Sequence, residues 1–250
     1  DDEVPVVEFK NAALTYSGAG DTSIAGVSFK AYRGQTIGII GGTGSGKSSL
    51  VGLIPRFYDA TEGEVLIDGV NVKDIKLEEL RDKVGIVMQK AVLFKGSIRN
   101  NMQVAKQDAT DGEIDEALAI AQAKEFVDKK DGRLDYMIEQ GGKNLSGGQR
   151  QRLTIARAVV KKPDVLILDD SASALDFATD AALRKSIRTM PNNPTVFIVS
   201  QRSASLMHAD KIIVLDDGNV AGIGTHSELL ANCEVYREIY NSQFKSAKGA

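Results

Sequence analysis

The chain has 250 residues, of which 42% are hydrophobic and 26% charged, as in a soluble domain that can bury a core. A net charge of -3 and a pI of about 5.6 exclude a basic field that would attract nucleic acid or anionic lipid. The single Cys233 excludes an internal disulfide and fits a reducing compartment. No apolar run reaches the about 18 residues that span a bilayer, and the acidic start Asp1-Asp2-Glu3 is unlike a signal peptide. The absent initiator Met and the small residues Ser246–Ala250 favour an excised piece of a longer protein.

Apolar, β-branched runs predict strands along the chain. They are mostly continuous and separated by helix-like stretches, which favours a mostly parallel α/β sheet covered on both faces. The predicted strands are Val6–Phe9, Thr36–Ile40, Glu64–Ile67, Val84–Met88, Val165–Leu168, Thr195–Val199 and Ile212–Leu215. Stronger alternation in Val6–Tyr16 and Ser28–Tyr32, with turns at Ala60–Glu64 and Asp68–Val70, predicts a small antiparallel sheet beside the core.

The strand Thr36–Ile40 leads into a full match to the P-loop pattern GxxxxGK(S/T). Backbone amides of its glycines can approach a phosphate chain closely, Lys47 can reach the terminal phosphates and Ser48 can hold Mg²⁺. The pattern predicts nucleoside triphosphate binding, followed by a helix over Ser48–Ile54; a flexible glycine-rich turn is the alternative. The predicted phosphate-binding residues are Gly41, Gly42, Thr43, Gly44, Ser45, Gly46, Lys47, Ser48 and Ser49.

Two helices are predicted in the middle of the chain. Apolar residues at helical spacing predict one over Asp111–Val127, with Asp111 as its N-cap. The second is predicted over Gln149–Val160 and ends before Lys161-Lys162-Pro163, because proline cannot continue a helix.

The predicted strand Val165–Leu168 ends in a carboxylate, Asp169. A buried strand that delivers an aspartate to the Mg²⁺ shell is the usual companion of a P-loop. The alternative is a strand that ends in a solvated aspartate.

The segment Leu145-Ser146-Gly147-Gly148-Gln149, followed by Arg150-Gln151-Arg152-Leu153, resembles the signature motif of ABC transporter nucleotide-binding domains. A serine and two glycines before a helix form a second anion-receptive helix N-terminus, which needs a phosphate of its own. The resemblance implies a head-to-tail dimer. In that dimer the signature of one domain faces the P-loop of a second nucleotide-binding domain, and two ATP molecules lie between them.

Weaker landmarks extend the resemblance over nearly the whole chain. Tyr16 matches the aromatic residue that stacks on adenine, with a buried core tyrosine as the alternative. Gln89 matches the glutamine that contacts Mg²⁺ and the attacking water, with an exposed turn residue as the alternative. Asp176, in Ser173-Ala174-Leu175-Asp176, matches the loop that crosses to the opposite site.

Two further segments are similar to exporter-type members of the family. Leu93–Ile98, with Asn100-Asn101, resembles the segment on which the coupling helices of the membrane domain dock. Gly222–Leu229 resembles the C-terminal consensus of exporters. The resemblance implies a P-loop (RecA-like) α/β ATPase core, residues 1–88 and 162–250, with an antiparallel β subdomain. An α-helical signature subdomain, residues 89–161, is inserted into this core, and the whole of 1–250 forms one nucleotide-binding domain.

Two positions depart from the family pattern. Asp170 stands where the family has the glutamate that polarises the attacking water, and its carboxylate is one methylene too short. Gln201 stands where the family has its switch histidine, and an amide cannot carry the charge of an imidazole or shuttle its proton. His208 does not fit the switch position, and His226 belongs to the family's C-terminal consensus and has no expected chemical role.

The resemblance therefore implies the degenerate subunit of a heterodimeric ABC exporter. We expect it to bind ATP and Mg²⁺ with little turnover, while its signature completes the competent site of a different partner chain. Transmembrane domains would be further partners, at the cytoplasmic face of a cell membrane, without membrane insertion of this segment. The alternatives are a nucleotide-gated regulatory or dimerisation module, a self-sufficient homodimeric ATPase, and a soluble ABC ATPase of translation or DNA repair. The last usually carries a second cassette, a coiled coil or basic patches.

Overall fold

A computed structural model of the protein describes residues 3–90 and 92–247. Asp1, Asp2 and Lys248–Ala250, used above for the expectations about the two termini, lie outside the described residues. Two compact units can be distinguished. The first is formed by the chain up to Val84 and from Thr195 onward, and the second by Gly85–Pro194. The predicted subdomain limits at residues 89 and 161 remain a prediction.

The elements alternate along the chain as the sequence predicts for an α/β fold. The strands are β1 (Val7–Leu14), β2 (Ile24–Ala31), β3 (Thr36–Gly41), β4 (Glu62–Ile67), β5 (Val70–Asn71), β6 (Val84–Val87), β7 (Gly96–Ser97), β8 (Met137–Ile138), β9 (Val165–Asp169), β10 (Thr195–Val199), β11 (Lys211–Asp216) and β12 (Asn219–Gly224). The helices are α1 (Lys47–Gly52), α2 (Leu77–Lys83), α3 (Ile98–Gln103), α4 (Asp111–Ile120), α5 (Lys124–Asp128), α6 (Gly147–Val159), α7 (Phe177–Arg188), α8 (His226–Asn232) and α9 (Glu234–Ala247).

The first unit contains an antiparallel sheet in the order β2-β1-β4-β5. Burial alternates along β2, as expected for strands with one face on the core. Asp68 and Gly69, both with positive φ, form the two-residue turn between β4 and β5. The predicted small antiparallel sheet is confirmed, although Glu62–Glu64 belong to β4 and not to a turn.

The first unit also contains the parallel strands that lead to the P-loop. In the order β12-β11-β3-β10, the central strand β3 pairs in parallel with both β10 and β11, and β12 is antiparallel to β11. All six residues of β3 are buried, which explains why its sequence is continuously apolar. The predicted parallel α/β sheet is confirmed. Its β3 ends at Gly41, so the P-loop begins at the carboxyl end of a parallel strand, where ligands of α/β folds bind.

The second unit combines short sheets with helices. Strand β9, buried throughout, neighbours β6, and β7 pairs antiparallel with β8. Helix α6 packs against α3 and α4. None of the helices in the described part of the chain is both long and apolar enough to cross a bilayer.

The predicted helix boundaries were partly wrong. Thr110, not Asp111, caps α4: its hydroxyl accepts the Glu113 N–H, and the Glu113 carboxylate accepts the Thr110 N–H. The predicted helix Asp111–Val127 is two helices, because Gln122 adopts a left-handed conformation with φ of 60°. The predicted helix at Gln149 begins at Gly147.

Candidate nucleotide-binding site

The P-loop connects β3 to α1 in the first unit. Gly46, with φ of 100°, precedes α1, and a Cβ there would lie 2.6 Å from Ile24 Cδ1 and 2.8 Å from the Ser23 carbonyl oxygen. Only glycine fits this turn. The first amides of a helix have no acceptor inside it, and at α1 no described side chain caps them. The turn therefore presents amide donors at the positive end of a helix dipole.

Lys47 lies folded onto the same loop. Its Nζ donates to the carbonyl oxygens of Gly41 at 2.7 Å and of Gly42 at 2.8 Å. Although it is charged, the residue is only 9% exposed. Burial of an ammonium requires compensation by acceptors or by an anion, and the backbone carbonyls supply part of it.

The hydroxyl group of Ser45 indicates that the loop suits a phosphate. Its Oγ is buried and has no hydrogen-bond partner among the described residues. An unpaired buried hydroxyl destabilises the fold, and a phosphate oxygen would accept a hydrogen bond from it. The donor set of amides, an ammonium and a hydroxyl is the chemistry that recognises a phosphate chain, so the residues present fit ATP.

Tyr16 lies beside the residue that follows the P-loop. Its hydroxyl is 2.6 Å from Ser49 Oγ, and its ring packs edge-on against Tyr58 with the centroids 4.9 Å apart. Burial raises the pKa of Tyr16 above its usual value. The residue is half-buried, so it differs from a tyrosine of the closed core.

Gln201 is the other predicted site residue near the P-loop of the first unit. It follows β10 and is exposed, and its Nε2 is 3.5 Å from Thr43 Oγ1, a long contact. The structure thus brings the side chain of Gln201 to the P-loop residue Thr43.

Asp169, Asp170 and Gln89 belong to the second unit. Asp169 ends β9 and is only 6% exposed, so it is not the solvated aspartate of the alternative interpretation. Asp170 has a left-handed φ of 48°, a conformation that aspartate tolerates better than most residues. Gln89, exposed after β6, donates from Nε2 to Asp170 Oδ2 at 3.3 Å. Two of the predicted catalytic residues therefore lie together.

The signature segment forms the start of α6. Ser146 is the N-cap: its Oγ accepts the Gln149 N–H at 3.1 Å, and Gln149 Oε1 accepts the Ser146 N–H at 3.1 Å. This capping box fixes Gly147 and Gly148 in the first turn. Leu145 is buried, and its carbonyl oxygen accepts from Arg150 Nη1 at 2.9 Å.

The cap predicts a measurable effect on stability. Replacing Ser146 by alanine should lower the free energy of unfolding by about 1 kcal/mol, because the Gln149 amide loses its acceptor. Ser146→Asp should restore most of this loss, since aspartate also caps helices. Urea unfolding of the two variants checks this, and equal losses for alanine and aspartate would contradict it.

The loop that contains Asp176 packs against the signature helix. The buried side chain of Gln151 accepts the Ala174 N–H at 3.1 Å. Asp176 is the N-cap of α7, and the Thr179 amide that it accepts at 2.8 Å lowers the pKa of its carboxyl group. A hydrogen bond therefore joins the signature helix to the loop that contains Asp176 within the second unit.

Side-chain hydrogen bonds hold the backbone of the two exporter-like segments. Asn101 is buried, accepts the Phe94 N–H and donates to the carbonyl oxygens of Phe94 and Ser97. Val92 and Phe94 remain exposed. In the C-terminal segment, Thr225 and Glu228 form the capping box of α8.

One contact in the first unit was missed by the sequence analysis. Gln243 of α9 is hydrogen bonded to Gln201 and Ser203. The sequence contains a signal for this contact. Gln243 lies on the same helix face as the apolar residues Tyr236 and Ile239, and a polar residue on such a face indicates a buried hydrogen-bond partner.

The sequence is similar to known proteins over nearly its whole length. A profile described as ABC transporter matches residues 24–173. An uncharacterized ABC transporter ATP-binding protein of Mycobacterium tuberculosis is 44% identical over 97% of this chain and 42% of its own length. A putative multidrug export ATP-binding/permease protein of Bacillus subtilis is 40% identical over 95% of this chain and 41% of its own. An ATP-dependent lipid A-core flippase of Haemophilus ducreyi is 38% identical over 95% of this chain and 41% of its own length.

A solved structure agrees with these relatives. A bacterial Atm1-family ABC exporter with ATP bound superposes with a TM-score of 0.90 at 34% identity, over 96% of this chain and 42% of that one. The chain thus spans about two fifths of the length of the proteins it matches. From the P-loop and the signature helix to the matched profile, the observations agree: the chain belongs to the ABC transporter family.

Proposed function

We propose that this chain is the ATP-binding domain of an ABC exporter and binds ATP with Mg²⁺. The observation that carries the proposal is the P-loop, where the Lys47 ammonium, the unpaired Ser45 hydroxyl and the first amides of α1 form one donor set. The similarity to exporters over at least 95% of the chain supports the transport role.

Each group of residues has a proposed task. Gly41–Ser49 bind the phosphates, and Tyr16 contacts the adenine. Ser48, Gln89 and Asp169 hold Mg²⁺ through oxygen atoms, the ligands that this ion prefers. Bound ATP supplies the transferable phosphoryl group and the free energy of its hydrolysis.

Partners follow from the share of the relatives that the chain covers. Because it spans about two fifths of them, we propose that transmembrane domains complete the transporter, at the cytoplasmic face of a membrane. A second nucleotide-binding domain pairs head-to-tail with this one, so that Leu145–Gln149 and Asp176 serve the partner's ATP. In this proposal residues 1–88 and 162–250 form the ATP-binding core, and 89–161 the helical signature subdomain.

The site built on this chain is proposed to be degenerate. Asp170 carries a carboxylate one methylene shorter than the family's glutamate, and it accepts a hydrogen bond from Gln89. Gln201 offers an amide, which donates a hydrogen bond but stays neutral near pH 7. Both changes weaken proton transfer and leave the P-loop intact, so the site binds ATP and turns it over slowly.

A nucleotide-gated regulatory or dimerisation module is the second candidate function, favoured by the same two residues. In that case the site has no catalytic role of its own in any assembly. If the complex of this chain with its partner hydrolyses ATP and replacing Asp170 lowers that rate, the chain is the ATPase domain of an exporter and not only a regulatory module.

ATP binding by the 250-residue chain tests the proposed function. Titration calorimetry should show that Lys47→Ala weakens ATP binding by about 10- to 100-fold, because a charge-assisted contact to the phosphates is lost. Lys10→Ala, which removes an exposed lysine of β1, is the matched control and should bind like the original chain. Unchanged melting temperatures show that both variants are folded. Equal ATP affinity of Lys47→Ala and Lys10→Ala would contradict the proposed function.

A further inference from the structure

Gln243 fastens the loop that carries Gln201. Its Oε1 accepts the Ser203 N–H at 2.9 Å and the Ser203 hydroxyl at 2.8 Å, and its Nε2 donates to the Gln201 carbonyl oxygen at 2.5 Å. One side chain thus uses both its acceptor and its donor on a three-residue stretch. We call residues 200–203 the sensor loop.

Helix α9, which carries Gln243, is held in the core of the first unit. Helix α9 is anchored by Tyr236, which is fully buried and belongs to the same core cluster as Leu229, Ile212 and Ile40. Ile40 lies in β3 and directly precedes the P-loop. Gln243 therefore connects the sensor loop to a helix that packs on β11, the strand paired with β3, which carries the P-loop.

Further hydrogen bonds hold the backbone of the sensor loop next to Gln201. Ser200 N–H donates to the Ile39 carbonyl oxygen at 3.1 Å, and Ser200 Oγ accepts the Arg202 N–H at 3.0 Å. The Gln201 side chain itself is exposed and makes a long contact, 3.5 Å, to Thr43 Oγ1. Fixing the backbone on both sides of this side chain reduces the conformational entropy lost when its amide meets a ligand.

We propose that Gln243 is a positioning residue, which acts through Gln201 to make the preference of the P-loop for a triphosphate over a diphosphate depend on helix α9. The proposal rests on the proposed function, because it requires Gln201 to face the terminal phosphate of ATP. Helix α9 thereby controls the site: displacing α9 releases the sensor loop.

The test compares three variants of the 250-residue chain: Gln243→Ala, Gln243→Glu and Asn241→Ala. Asn241 is exposed on the same helix and is the matched control. Hydrogen exchange of the amides of residues 200–206 is measured without nucleotide. Gln243→Ala should exchange faster there, and Asn241→Ala should not, because only the first loses the contacts to Ser203 and Gln201.

Affinity for ATP and ADP is then measured by calorimetry. Gln243→Ala should weaken ATP binding by about 3- to 10-fold, as expected for the loss of one or two hydrogen bonds, and leave ADP affinity at the level of the control. Its melting temperature should fall below that of the control, because the buried Ser203 loses its acceptor. Gln243→Glu keeps the acceptor for Ser203 but sets a carboxylate oxygen against the Gln201 carbonyl oxygen, so its ATP affinity should fall at least as far as that of Gln243→Ala. In a Gln201→Ala background, Gln243→Ala should have no further effect on ATP affinity.

Three results would overturn the proposal: unchanged exchange in Gln243→Ala, equal losses of ATP and ADP affinity, or an undiminished effect of Gln243→Ala in the Gln201→Ala background. The second would indicate a structural role only. If the original chain bound no ATP, the proposed function would fail together with the nucleotide preference, and the exchange rates would still show whether Gln243 holds the loop. The two failures are therefore distinguishable.

Discussion

The double substitution Asp170→Glu with Gln201→His should raise the steady-state ATP turnover of this chain by about 10²- to 10⁴-fold. A general base must lie within hydrogen-bond reach of the water it activates, and a methylene adds about 1.5 Å of reach. The imidazole restores a group that can carry charge and shuttle a proton near neutral pH. Each substitution alone should give a smaller gain, because the two groups act on the same proton-transfer step.

The surroundings of Asp170 define the matched control. Asp170 has a φ of 48°, and any longer side chain placed there bears the same backbone strain. Asp170→Gln, combined with Gln201→His, has the length of the glutamate variant and the same strain but no carboxylate. It should stay at the turnover of the original chain, so that a gain seen only with glutamate is assigned to the base.

Phosphate release should be measured over a range of protein concentrations, because the proposed head-to-tail pairing requires two copies to meet before the signature Leu145–Gln149 can complete a site. Lys47→Ala in each background gives the blank. Turnover by the original chain that is well above this blank and unchanged by Asp170→Glu would contradict the degenerate site. The chain would then be a self-sufficient ATPase.

The strands could be predicted because burial on both faces leaves a plain signal. β3 and β9 are buried throughout and, apart from Thr36 and Asp169 at their ends, lack polar side chains, so their position and type follow from the residues alone. The helix start at Thr110 was also within reach, since Thr110 and Glu113 have the spacing of a capping box. Asp111 is an equally good cap in isolation, so residue type alone does not distinguish it from Thr110.

Other features depend on partners distant in sequence. The helix break occurs at Gln122, which adopts a left-handed conformation although it is not a glycine. The side chain of Gln122 donates a hydrogen bond to Ser186 Oγ, 64 residues away in the sequence. In the candidate site, motifs gave the P-loop, the signature and the two departures from the family. They could not give the contacts of Gln243, because nothing local says which loop a polar residue on an apolar helix face will meet.

The first glycine of the P-loop should be indispensable for stability, and its neighbour should not. A Cβ at Gly41 would lie 2.4 Å from the Leu215 carbonyl oxygen and 2.4 Å from Ser45 Oγ. Leu215 is paired with Gly41 in the β3–β11 register, so the backbone cannot retreat without opening the sheet. Gly41→Ala should cost about 3 kcal/mol, as overpacking of a closed site does.

Gly42→Ala is the matched control, because a Cβ at Gly42 would meet no described atom within 4 Å and neither glycine has a positive φ. Chain entropy alone makes this substitution neutral or slightly stabilising. For a chain of this size, about 3 kcal/mol corresponds to a fall of about 6 to 12 °C in melting temperature, expected for Gly41→Ala only. Scanning calorimetry of both variants gives the comparison. Similar melting temperatures would mean that β3 and β11 separate easily at Gly41, and the close approach of the P-loop to β11 would then not be what requires glycine there.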